Sequence, residues 1–253
     1  MRTAVIIGAT SGIGKAVAER LLKEGWRVAI TGRREGELGK IVDAHERGRV
    51  IAFPIDVTSE RATDVLDSMV TEAGMPDLFL YVSGVGYQNR ELDMDKELLT
   101  VRTNCEGMVR CLVHFMGYVR RAAAEGRISP DSPIRIAVVS SVAGTKGMGT
   151  APAYSATKKM QSTYVTAMSQ LARIEKLPVV FSDIKPGFVA TEILNPQKHY
   201  PMAITAEKAA DNIVKGLHRG RRIIIFDWRF KIIVFLWRLI PECIWERLTI
   251  VKN

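Results

Sequence analysis

Short, unbroken apolar runs alternate along this chain with longer stretches in which apolar residues return every three or four positions. Runs of the first kind read as strands buried on both faces, and stretches of the second kind as amphipathic helices. Strands are predicted at residues 4–7, 26–30, 50–53, 77–82, 134–139, 179–184 and 222–226. Between the first two, Ile13, Val17 and Leu21 keep helical spacing until Gly25 stops them. After Thr58-Ser59, Val65, Leu66, Met69 and Val70 line the inner side of a second helix, which ends near Gly74. One long helix is predicted from about Asp95 to Ala124, another from Tyr154 to about Ile174, and a last one from Thr205 to His218. Strands alternating with helices in this way predict an α/β fold, a doubly wound parallel sheet of the Rossmann type, in one domain over residues 1–226. Residues 192–204 hold two prolines and no sustained period, as expected of a mobile segment covering a crevice.

The pattern changes after Phe226. Residues 228–240 are heavily apolar but interrupted by Arg229, Lys231 and Arg238, then Pro241 breaks the run before a second helix-like piece carrying Ile244, Trp245 and Leu248. The uninterrupted apolar run falls short of the roughly 20 residues a membrane-spanning helix needs. Residues 227–253 therefore read as an apolar, basic C-terminal helical extension. Three placements fit it: packed on the domain, buried at a subunit interface of a dimer or tetramer, or lying on a membrane surface.

Composition narrows the picture little. The 253 residues are 47% hydrophobic and 25% charged, as in ordinary folded proteins. The net charge is +9, and residues 215–253 hold nine Lys or Arg against three Asp or Glu. No aromatic-interleaved or helix-turn-helix pattern accompanies these cations, which argues against a nucleic-acid partner. Cys105, Cys111 and Cys243 are odd in number and lack metal-ligand spacing. Reduced thiols and an N-terminal apolar run too short for a signal peptide give a cytoplasmic expectation, with no metal.

Candidate chemistry gathers at the strand ends. Gly8-Ala9-Thr10-Ser11-Gly12-Ile13-Gly14 joins the first strand to the first helix, where glycines let the backbone approach a pyrophosphate and the helix N-terminus stabilises its charge. A simple packing turn would use the same glycines. The second strand ends in Thr31-Gly32-Arg33-Arg34, with no acid to accept from a ribose 2′-hydroxyl and two guanidiniums to meet a 2′-phosphate. This favours NADP(H) while admitting NAD(H), and both arginines would equally serve as solvated surface residues. Asp56 has two readings, acceptor from an adenine amino group or helix cap. A second glycine-rich strand end, Ser83-Gly84-Val85-Gly86, marks the ligand crevice of an open parallel sheet. Within the long helix, Asn104 lies among Val101, Met108, Leu112 and Phe115, as a satisfied packing amide would. The fifth strand runs into Ser140-Ser141-Val142-Ala143-Gly144, and Tyr154-Ser155-Ala156-Thr157-Lys158 follows after a loop. On a helix Tyr154 and Lys158 share a face one turn apart, and a fixed cation draws a phenol toward the range of a working acid or base. The same spacing is common on solvated helix faces. Pro186-Gly187-Phe188-Val189-Ala190-Thr191 fixes a turn at the end of the sixth strand.

Taken together, these motifs resemble the short-chain dehydrogenase/reductase family over nearly the whole chain up to Phe226. Gly8, Gly12 and Gly14 match the family's cofactor glycines, Asp56 its adenine-contacting acid, and 186–191 the turn that holds the nicotinamide amide. Asn104, Ser141, Tyr154 and Lys158 match its catalytic tetrad. Tyr81-Val82-Ser83-Gly84 departs from the usual Asn-Asn-Ala-Gly. The resemblance implies cofactor contacts from Gly8, Thr10, Ser11, Gly12, Ile13, Gly14, Arg33, Arg34, Asp56, Val57, Gly84, Tyr154, Lys158, Pro186, Gly187, Val189 and Thr191. It further implies that Tyr154 is the proton donor and Ser141 steadies the carbonyl oxygen. Lys158 would lower the Tyr154 pKa and hold the nicotinamide ribose, and Asn104 would hold a water behind Lys158.

The expected function is an NADP(H)-dependent oxidoreductase acting on a ketone or secondary alcohol. The alternative from another class is a nucleotide-binding sensor or scaffold with little turnover. Residues 144–152 and 192–204 are expected to line the substrate pocket, and their lack of charge clusters favours an apolar small molecule.

Overall fold

A computed structural model describes residues 1–194 and 200–248. Part of the expected covering segment (195–199) and the end of the extension (249–253) lie outside the described residues.

The strands are β1 (Thr3–Ile7), β2 (Arg27–Gly32), β3 (Val50–Pro54), β4 (Leu78–Tyr81), β5 (Ile134–Val139), β6 (Val179–Ile184), β7 (Val189–Ala190), β8 (Ile204–Thr205) and β9 (Ile223–Ile224). Among the described residues, seven of them form one sheet in the order β3-β2-β1-β4-β5-β6-β9, every pairing parallel. The helices are α1 (Gly12–Lys23), α2 (Glu35–Asp43), α3 (Ala62–Ala73), α4 (Met94–Val101), α5 (Gly107–Ala124), α6 (Pro152–Ile174), α7 (Ala206–His218), α8 (Trp228–Leu239) and α9 (Glu242–Trp245). The strand runs are largely apolar because helices cover both faces. Val5, Phe79, Phe115 and Met168 belong to the core on one side, and Ile6, Leu21, Leu38 and Ile213 to the core on the other. The chain order reverses between β1 and β4, so their C-terminal loops part and leave a crevice.

Three features differ from the sequence expectation. Helix α2 carries only two buried side chains, Leu38 and Ile41, too few to set a visible period. The long helix expected over 95–124 is two α-helices joined by a π-helical turn, Arg102–Glu106. The helix after Thr58-Ser59 starts only at Ala62, so Asp56 does not cap it. Beyond the main sheet, β7 and β8 pair in parallel through Val189 with Ile204 and Ala190 with Thr205, tying the 186–191 turn to the start of α7.

Candidate active site

A cleft of about 740 Å³ opens at the C-terminal ends of the strands, bordered by the ends of β1, β2, β4, β5 and β6. At its floor, Gly8 adopts φ 98° and Gly14 lies so close to it that a Cβ on Gly14 would stand 1.9 Å from the Gly8 carbonyl oxygen. Only glycine permits this approach of helix to turn. The first turn of α1 contains no acidic residue, and the side chain of Ser11 at its N-cap accepts no hydrogen bond from the helix. The amides there are left for an anion. A backbone cradle with a bare helix N-terminus fits a dinucleotide pyrophosphate.

Thr10, Ser11, Gly12, Ile13, Arg33, Arg34, Asp56, Val57, Gly84, Pro186, Gly187, Val189 and Thr191 all border the same cleft. Arg34 donates to Thr10 Oγ1 at 3.2 Å and forms an ion pair at 3.1 Å with Glu192, which also accepts from Ser11 Oγ at 3.1 Å. The Arg34 hydrogen bond holds the Glu192 carboxyl below the usual range, with help from Ser11. Burial by itself would raise the Asp56 carboxyl, but the amide and hydroxyl of Thr58, at 2.9 and 2.7 Å, together with the Arg33 charge, bring it below its ordinary value.

Asn104 sits in the π-helical turn and is fully buried. Such a turn carries one residue more than an α-turn and is a recurrent feature of functional sites. Its Oδ1 accepts from Val85 N at 2.9 Å, while its Nδ2 donates to Val85 O at 2.9 Å and to Thr157 Oγ1 at 3.0 Å. Asn104 thus clamps the β4 loop and α6 to one another. The buried Tyr81 phenol, at the departure from the family motif, donates to the Thr103 carbonyl at 2.9 Å and steadies the same turn from β4.

Ser141 follows β5 with Oγ accepting from Ala143 N at 3.1 Å. Helix α6 begins at Pro152, and its N-cap Ala151 has no capping side chain. Glu97 of α4 serves instead, accepting from Ala153 N at 2.9 Å and from Asn89 Nδ2 at 2.8 Å. This fixes the first turn of the helix that carries Tyr154. The Tyr154 ring lies on Gly86, where a Cβ would stand 2.6 Å from it. Burial pushes the Tyr154 phenol above its ordinary pKa, and the hydrogen bond from Ser141 acts against that rise.

Lys158 stands one turn on, 5% exposed, with Nζ 5.7 Å from the centre of the Tyr154 ring. Burial draws its pKa down to about 8, opposed by the charges of Cys105 and Asp183. Burial thus acts on both groups, raising the phenol and lowering the ammonium, with Ser141 working against the rise at Tyr154. Lys158 Nζ donates to Val139 O and to Gln161 Oε1, both at 3.0 Å, and Gln161 Nε2 donates to Asn104 O at 2.8 Å. The Gln161 side-chain amide thus links the Asn104 backbone to Lys158.

The segment 144–152 does not border the cleft. Lys146 is turned away and bonded to Ile240 O at 2.8 Å and Glu242 at 2.9 Å, and the Trp245 indole donates to Gly147 O at 2.6 Å. The C-terminal extension thus holds that loop. The cleft is bordered instead by Val85, Gly86, Tyr87, Gln88, Ile193, Leu194 and Tyr200. Gln161 and Glu97 escaped the sequence reading. Gln161 keeps helical spacing from Lys158 and was findable on that ground, whereas nothing local marks Glu97 as a cap for a distant helix.

A family model described as short chain dehydrogenase matches residues 2–201. An uncharacterized oxidoreductase of Myxococcus xanthus is 28% identical over 252 residues, covering 97% of this chain and 95% of that protein. Among solved structures, a short chain dehydrogenase/reductase from Burkholderia phymatum in complex with NAD superposes with a TM-score of 0.78 at 21% identity, covering 100% of this chain and 97% of the other. A short chain dehydrogenase from Burkholderia cenocepacia in complex with NADP gives a TM-score of 0.79 at 18% identity, covering 98% and 99%.

Proposed function

The chain belongs to the short-chain dehydrogenase family of oxidoreductases, and from that premise we propose that it moves a hydride between NADP(H) and a ketone or secondary alcohol, with Tyr154 as general acid and base. One observation carries the reading: Ser141 and Tyr154 share the wall of a cleft whose floor is a phosphate cradle, with a buried cation one turn from the phenol. When bound, the nicotinamide supplies or accepts the hydride.

The residues of this chain do the rest. Ser141 donates to the substrate oxygen as negative charge develops there. Tyr154 delivers a proton to the same oxygen, and its raised pKa keeps that proton in place at neutral pH until the oxyanion calls for it. Lys158 holds the ribose hydroxyls, and the negative charge of a dinucleotide entering the cleft favours its protonated form. Asn104 and Gln161 keep Lys158 and the β4 loop in register. The preference for NADP(H) rests on Arg33 and Arg34 at the end of β2, with no carboxylate from β2 itself to repel a 2′-phosphate. Glu192 tempers that preference by occupying Arg34. The apolar character of Val85, Ile193 and Leu194 favours an apolar carbonyl substrate.

The test is NADPH oxidation against a panel of ketones, run beside NADH. Turnover that prefers NADPH is expected, and cofactor binding without turnover of any carbonyl or alcohol would replace this reading with that of a nucleotide-binding sensor.

A further inference from the structure

Helix α8 is apolar on two opposite sides. Its inner side packs on the domain through Phe230 and Val234, which cluster with Val142, Phe188 and Met202 beside the candidate active site. The Phe230 ring fills the space over Gly187, where a Cβ would stand 2.2 Å from it. Lys146 closes the C-terminal end of α8 by donating to Ile240 O. The helix is therefore held firmly in one orientation.

Its outer side carries Trp228, Ile232, Phe235, Leu236 and Leu239, at helical spacings of four, three, one and three. All five are exposed, Trp228 to 67%, Phe235 to 61% and Leu239 to 62%. At 100° per residue they form one stripe. The same projection puts Arg229 along one edge of the stripe and Lys231 with Arg238 along the other, while the inner face lies opposite. Ile244 and Leu248 just beyond are exposed as well.

We propose that this outer face of α8 is a docking surface for an anionic lipid bilayer, on which the helix lies flat. Long cationic side chains at the waterline of an apolar stripe can bury their stems and reach lipid phosphates. The charge of the molecule is complementary: net +9 for the chain, with nine basic against three acidic residues from 215 onward. Helix α8 has 12 residues, and no helix among those described is long and apolar enough to cross a membrane, so the contact is with one surface. A second copy is the poorer occupant. A twofold pairing of this face would crowd Lys231 and Arg238 with their own counterparts, while Asp227 and Glu242 of the extension are already engaged by Arg229 and Lys146.

The experiment uses the full chain and vesicles of phosphatidylcholine with and without phosphatidylglycerol, read by flotation and accompanied by light scattering for oligomeric state. Flotation with the anionic vesicles that weakens as salt rises is expected. Lys231→Gln with Arg238→Gln should weaken it about thirtyfold, at about 1 kcal/mol per cation near an anionic surface. Phe235→Ser with Leu239→Ser should weaken it without changing the salt dependence. All four positions are exposed, and unfolding temperature and NADPH binding verify that the variants fold. The proposal is overturned if the wild-type chain stays off both kinds of vesicle, or if it is a dimer that Phe235→Ser with Leu239→Ser converts to a monomer. Neither readout requires turnover, so the outcome is independent of the reductase reading.

Discussion

Gln161 joins Lys158 to the backbone of Asn104, accepting from the ammonium at 3.0 Å and donating to the Asn104 carbonyl at 2.8 Å. All three residues are buried, so each of these groups depends on the others for its hydrogen bonds. An amide in this place fixes distances but does not exchange protons as a water does. Gln161 is accordingly a positioning residue for Lys158. Gln161→Leu should lower kcat about tenfold and move the alkaline limb of the pH profile to lower pH, because Lys158 loses an acceptor that favours its charged form. An unchanged pH profile would reduce Gln161 to a packing residue.

Tyr154→Phe removes the only proton the Tyr154 side chain can give and leaves its ring against Gly86. Turnover should fall by about 100-fold to 10,000-fold, with NADPH affinity nearly unchanged by fluorescence titration. Near-normal turnover would exclude Tyr154 as the acid.

Lys158 is a cost to the cofactor-free fold. Its pKa of about 8 lies below the ordinary 10.5, so below pH 8 both folded and unfolded states hold the proton and the cost is present in full. Between pH 8 and 10.5 the unfolded state holds more protons and stability rises with pH, by about 3 kcal/mol in total. Lys158→Met should therefore be more stable than wild type at pH 7, less the two hydrogen bonds Lys158 makes, and the advantage should shrink by pH 10. Denaturant unfolding of both proteins at the two pH values, without cofactor, checks the sign.

Arg34 is shared between Thr10 and Glu192 across the cleft. Glu192→Gln should free the guanidinium and remove a repelling charge, tightening NADPH about threefold to tenfold with a smaller effect on NADH. Arg34→Ala should do the reverse. Equal effects on the two cofactors would place their 2′-ends away from Arg34.

Tyr81→Phe leaves the Thr103 carbonyl without its buried donor. Equilibrium unfolding should show a loss of about 1–3 kcal/mol. A loss of turnover beyond the change in folded fraction would show that the Tyr81 hydrogen bond positions Asn104 through the π-helical turn.

The order of strands and helices was legible in the sequence because unbroken apolar runs and the 3.6-residue period are local consequences of burial on two faces or one. The glycines at 8, 12 and 14 were legible from their place between a strand and a helix, whereas Asn104, Ser141, Tyr154 and Lys158 stood out as a set only through the resemblance to the short-chain dehydrogenase/reductase family. Contacts made across the fold were not. Glu97 caps a helix 55 residues further on, Glu192 reaches Arg34 from the far side of the cleft, and Lys146 is drawn from the pocket by the C-terminal extension. The π-helical turn was hidden too: Val101 keeps helical spacing with Met108, Leu112 and Phe115 in the sequence, yet the extra residue between them leaves Val101 44% exposed while the other three are buried.

The sequence by itself determined a doubly wound parallel sheet, the place of its crevice and the residue types within it. The tertiary structure alone decided the state of those residues, because the burial that pushes Tyr154 up and Lys158 down, and the choice of which face of α8 is left uncovered, depend on neighbours that the chain brings together only when folded.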